Sequence, residues 1–136
     1  MQRKRFLSWL AWGSFGQLIA LVTGCSKKSS EPQGFAKFAS ILEVEEAKGA
    51  ILRDYFAKDP ILLVQDPNDK TQYRAINATC THQKCIINWN GDRQAFVCPC
   101  HGSTFGADGK VLQGPAKEAL QTFPTQVKEK DIYVKV

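Results

Sequence analysis

Two short stretches hold most of the metal-binding side chains of this chain. One reads Cys80-Thr81-His82-Gln83-Lys84-Cys85 and the other Cys98-Pro99-Cys100-His101-Gly102-Ser103. Both histidines of the protein lie here, with four of its five cysteines. Each stretch pairs one thiol with one imidazole: Cys80-x-His82 and Cys98-x-x-His101. Two thiolates and two imidazoles suit two kinds of metal centre. Zinc takes such a set tetrahedrally, as a structural site. A [2Fe-2S] cluster takes it when two histidines replace two cysteines on one iron. With no histidine elsewhere, little is left for acid-base chemistry away from these loops.

The order of the ligands separates the two. A zinc finger brings both cysteines before both histidines. Here Cys-then-His occurs twice, with fifteen residues between His82 and Cys98. In that order, and in the flanking Cys-Thr-His-x-x-Cys and Cys-Pro-Cys-His-Gly-Ser, the chain resembles the Rieske [2Fe-2S] family. The resemblance implies one cluster, with Cys80 and Cys98 on the inner iron and His82 and His101 on the outer, solvent-facing iron. It implies a disulfide between Cys85 and Cys100, a pairing of the quinol-oxidising members and their exported relatives. It makes Ser103 a hydroxyl donor to a bridging sulfide, and Gly114-Pro115-Ala116 the proline loop that covers the cluster.

Two positions depart from the family pattern. Phe105 stands where high-potential members carry a tyrosine whose hydroxyl reaches a cysteine sulfur, so a lowered potential is expected. Gln83 and Lys84 stand where the quinol-complex members carry Leu and Gly. That apolar tip packs against cytochrome b, and a polar, cationic tip is costly to bury unless paired.

The ligand types explain the chemistry. Two thiolates cancel the net charge of two ferric ions and two sulfides, and neutral imidazoles add none. Replacing Cys by His therefore raises the potential toward what a quinol can reduce. Each ligating imidazole also keeps a second ring nitrogen able to carry a proton. One electron and one proton can then leave a quinol together, and the family makes His101 the docking ligand. The implied role is a membrane-tethered electron carrier of a cytochrome b6-f/bc-type complex, a subunit of a quinol oxidoreductase rather than an enzyme alone. Its implied partners are quinol, a cytochrome b-type subunit, and a c-type cytochrome or plastocyanin as acceptor. The departures keep a second expectation alive: a stand-alone, lower-potential carrier or the small subunit of another exported oxidoreductase. A structural zinc module is the remote third.

The elements that must position these loops follow from pattern. Ile61-Leu62-Leu63-Val64 and Tyr73–Ala78 read as strands around a polar turn at 67–70. Ile86–Trp89 and Gln94–Val97 flank Asn90-Gly91, a two-residue hairpin signal, and this hairpin would carry a cluster loop at each outer end. Phe38–Val44 alternates as a strand, Glu45–Tyr55 is ambiguous, and Asp108-Gly109 marks a turn. Val127 and Ile132–Val136 form a closing hairpin. The expected fold is all-β: antiparallel sheets with a small cluster-binding subdomain at about 78–116.

That domain occupies 35–136. From Phe35 onward 13 Lys+Arg face 12 Asp+Glu, a balance that argues against nucleic acid. Residues 1–24 read as an export signal or membrane segment, with Arg3-Lys4-Arg5 ahead of an uncharged run from Phe6 to Thr23. Arg3-Lys4-Arg5-Phe6-Leu7 resembles a twin-arginine signal, and Leu21-Val22-Thr23-Gly24-Cys25 a lipoprotein cleavage box. Cys25, the odd cysteine, would carry the lipid, and 25–34 would be a flexible polar linker. Lipid or an N-terminal anchor would hold the domain on the outer, periplasmic or lumenal, face of a bacterial cytoplasmic or thylakoid membrane.

Overall fold

The computed structural model describes residues 34–136. The expected export segment, Cys25 and nearly all of the linker lie outside them. No helix among the described residues is long and apolar enough to cross a membrane. The all-β expectation holds: eleven strands in three antiparallel sheets accompany one short helix.

The chain opens with β1 (Ala36–Ser40), α1 (Ile41–Glu46) and β2 (Ala50–Arg53). Strand was expected through Val44, and this is a correction. The strand stops at Ser40 because the Ser40 side chain accepts from the Glu43 N–H at 3.1 Å and caps a helix. Val44 still reaches the core, from a helical turn instead of a pleat. β3 (Ile61–Gln65) and β4 (Tyr73–Asn77) then form the expected hairpin. Its turn is held by Asp66, which is buried and accepts from the Asn68 N–H at 2.9 Å and from Arg74 Nε at 2.7 Å.

β3 and β4 are the middle of a sheet ordered β2-β3-β4-β9, where β9 is Thr122–Phe123. Both faces of this sheet are covered. Ile61, Leu63 and Ala75 pack with Phe38, Val44, Ile132 and Val134. Leu62, Val64 and Ile76 pack into a second core with Ala78, Ile87, Phe96 and Phe105. Burial on both faces is why Ile61–Val64 is a continuous apolar run and not an alternation. On the first side lies a sheet ordered β1-β11-β10, with β10 at Thr125–Lys128 and β11 at Asp131–Val134. Its pairing of Ala36 with Val134 joins the two ends of the described chain.

On the other side stands the four-stranded meander β5 (Asn88–Asn90), β6 (Ala95–Val97), β7 (Thr104–Gly106) and β8 (Val111–Gln113). The expected hairpin of β5 and β6 forms. Asn90 pairs with Ala95, so the loop has four residues, 91–94, and its left-handed residue is Gln94 (φ 50°). Asn90 acts through its side chain, whose Oδ1 accepts from the Arg93 N–H at 2.9 Å.

Candidate metal centre

Both metal-binding stretches are six-residue hairpin loops built alike. The first follows β4 and the Thr79–Ile86 bridge; the second joins β6 to β7. Each is closed by a bond from its first N–H to its last carbonyl. Cys80 N–H donates to Cys85 O at 2.8 Å, and Cys98 N–H to Ser103 O at 2.8 Å. In the second loop Gly102 sits at φ 76° and donates to Cys98 O at 3.0 Å, a left-handed turn that favours glycine. The Cys85–Cys100 disulfide joins the loops, with Cα atoms 6.5 Å apart.

Closing the loops sorts the four candidate ligands by depth. Cys80 and Cys98 are free thiols at 2% and 1% exposure, inside the core of Phe96 and Phe105. His82 and His101 are exposed above them, ring centroids 5.0 Å apart and nearly perpendicular at 88°. Burial pushes the Cys80 thiol up, but the N–H groups of His82 and Gln83, the Cys98 thiol and the Ser103 hydroxyl outweigh it, so Cys80 ionises more readily than an ordinary thiol. Burial also raises Cys98, as does donation to Cys80, and the N–H groups of Cys100 and His101 only partly offset them. Donors are thus aimed at both sulfurs, as thiolate ligands require. The donor set fits a [2Fe-2S] cluster: two buried thiols below, two imidazoles at the surface. Cys85, Cys98 and Cys100 also hold their sulfurs within 4.8 Å of one another, but the disulfide removes two of them as ligands.

A strap of irregular chain crosses both loops after β8. It begins at exposed Gly114-Pro115, whose peptide bond is cis, and continues through buried Ala116. Ala116 N–H donates to Ser103 Oγ at 2.9 Å, and Thr81 Oγ1 donates to Glu118 O at 2.7 Å. Leu120 N–H then reaches Gly109 O at 2.9 Å, and Asn77 N–H reaches Gln121 O at 2.8 Å. Ser103 is fully buried, accepts from the strap and gives its hydroxyl proton toward Cys80. Phe105 is equally buried in the same core and offers no donor. The roles of Thr81 and Glu118 were not foreseen. Strap bonds of this kind leave no periodic mark, and Gly109 was read only as a turn. An added Cβ at Gly109 would lie 3.2 Å from Leu120 O, so the glycine also lets the strap approach.

This fold and site define the class: the chain belongs to the Rieske [2Fe-2S] family, the iron-sulfur electron-transfer proteins, whose domain model matches residues 36–124. It is 31% identical over 150 residues to the cytochrome b6-f complex iron-sulfur subunit of Synechococcus sp. (strain WH7803), covering 98% of this chain and 84% of that one. It is 36% identical over 95 residues to the cytochrome b6-f complex iron-sulfur subunit 2 of Synechocystis sp. PCC 6803, covering 70% of this chain and 53% of that one. Among solved structures it is similar to the cyanobacterial plasma membrane Rieske protein PetC3 from Synechocystis PCC 6803. That likeness has 40% identity and a TM-score of 0.66 over 74% of this chain and 99% of the other.

Proposed function

We propose that this chain is a membrane-tethered electron carrier that takes electrons from a quinol and passes them to a c-type cytochrome or plastocyanin within a cytochrome b6-f/bc-type complex. The reading rests on one observation: the two loops bring a pair of exposed imidazoles to 5.0 Å of each other and bury a pair of thiols two and three residues before them. In it Cys80, Cys98, His82 and His101 hold the cluster, which when bound stores a single electron. The remaining steps belong to the chain. The N–H groups of His82 and Gln83 on Cys80, and of Cys100 and His101 on Cys98, stabilise the charge of the two buried thiolates. The outward nitrogens of His82 and His101 take up the proton that leaves with the electron. The disulfide and the strap keep both imidazoles on one face. Residues 1–24 export the protein, Cys25 and the linker to 34 tether it, and 35–136 form the domain on the outer face of the membrane.

A stand-alone carrier is the second reading. It is supported by the exposure of the whole tip from Thr81 to Lys84, with polar Gln83 and Lys84 at its end. Reduced full-length protein should show the rhombic electron resonance signal of a His-ligated [2Fe-2S] centre, lost in His82→Ala and in His101→Ala. A colourless protein holding one zinc would sink both readings and leave the zinc module. Co-migration with cytochrome b in native membranes separates the complex subunit from the lone carrier.

A further inference from the structure

Three sulfurs meet where the two loops touch. Those of Cys85, Cys98 and Cys100 lie within 4.8 Å of one another; two are bonded and the third is a thiol. A thiol held against a disulfide is the reactant pair of thiol–disulfide exchange, which needs no outside oxidant. We infer that the iron-free chain rearranges its own disulfide, with Cys98 as the attacking sulfur, and that iron bound at Cys98 is what prevents this. The inference rests on the proposed function only in making Cys98 an iron ligand.

The step balances within the three residues. Cys98 Sγ gives up its proton, a loss its burial slows, and forms a bond to Cys85 Sγ. The Cys85–Cys100 bond breaks, and its electron pair leaves on Cys100 Sγ, which takes the proton Cys98 gave up. One disulfide and one thiol stand on each side, with no net oxidation. Attack on Cys85 is preferred over attack on Cys100. A bridge between Cys98 and Cys100 would close over a single residue and strain its geometry. A Cys85–Cys98 bridge closes a loop of nearly the present size, so chain entropy hardly opposes it. The displaced Cys100 is already exposed, whereas Cys98 is buried. Of the two buried thiols the product keeps only Cys80, so it cannot take up a cluster until reduced. The disulfide is then a latch set safely only after iron is in place.

The test starts from loaded full-length protein. Iron is stripped with a chelator, without oxygen or added thiol; samples are alkylated with iodoacetamide over time, digested and mapped. Label should rise on Cys100 as a Cys85–Cys98 peptide replaces the Cys85–Cys100 peptide, and the loaded protein should show neither change. Cys80→Ser and Cys98→Ser each remove one proposed ligand and are mapped iron-free from the start; the Cys85–Cys98 peptide should form in the first and be absent from the second. Stripped wild type that keeps its Cys85–Cys100 peptide and labels at Cys80 and Cys98 overturns the inference. The wild-type time course decides this even if a variant misfolds. Absence of an iron signal overturns the proposed function instead, and mapping of the iron-free chain still reads out the exchange.

Discussion

The two cores of this domain hold together by different means. The one beneath β1, α1 and β11 is mostly aliphatic, with Ile61, Leu63, Ile132 and Val134 fully buried beside Phe38 and Tyr73. The one beneath the loops includes Cys80 and Cys98, and reaches the surface through a disulfide and side-chain-to-backbone bonds. The first needs only apolar area removed from water. The second also buries apolar side chains, but its thiols, its disulfide and its side-chain-to-backbone bonds need particular atoms at particular places. Damage to one half should therefore register differently from damage to the other.

The largest effect should come from the aliphatic half. Leu63→Ala leaves a cavity in a fully buried position and should cost about 2–5 kcal/mol by chemical denaturation. The electron resonance signal of the folded fraction should stay unchanged, and an altered signal would show that the halves are not separable. Next, Cys100→Ser opens the loop joining two residues separated by 15 positions, worth about 3 kcal/mol in the chain-entropy model. Here the signal should broaden or decay with time while the far-ultraviolet strand spectrum persists.

Asp66, in the turn between β3 and β4 and outside both cores, offers a smaller, pH-dependent test. Burial alone would raise its carboxyl, but the Asn68 N–H and the Arg74 guanidinium hold it below the ordinary 3.8. Its contribution is thus present above that value and lost as pH falls through the lower folded value. Asp66→Asn should cost about 1–3 kcal/mol at neutral pH and flatten the acid limb of the stability curve. An acid limb unchanged in the variant would assign that loss to other carboxylates.

The smallest effect concerns tuning in the sulfur half. Phe105→Tyr offers a hydroxyl to a thiolate whose negative charge grows on reduction. It should raise the midpoint potential by about 1 kcal/mol, or roughly 40 mV for one electron. Ser103→Ala removes a donor to Cys80 and should lower it by a similar amount. No shift in Phe105→Tyr with an intact spectrum would mean that the ring does not face a ligand sulfur.

The same contrast governs how much could be read beforehand. Ile61–Val64 and Tyr73–Asn77 announce themselves because burial imposes a run or an alternation. The loops announce themselves because Cys and His are scarce and closely spaced. The end of β1 was missed, because the Ser40 cap competes with an apolar pattern equally compatible with strand. The turn after Asn90 was read from its Asn-Gly pair, yet the side chain of Asn90 and the left-handed Gln94 set its form. The strap was legible only at Gly114-Pro115. Its work is done by backbone groups of Ala116, Glu118 and Leu120, which every residue type but proline supplies.

The strap also has a place in time. During synthesis Cys80, Cys85, Cys98 and Cys100 all emerge before Leu120 and well before β11. At about 5–20 residues per second, the forty residues from Cys80 to Leu120 take roughly 2–8 s. All four thiols of the loops are present only in the second half of that interval, after Cys100 is made, and the chain is then still unfinished. β1 is still waiting for a partner strand that has not been made. Iron has no finished pocket to enter until the ribosome is almost done with the domain.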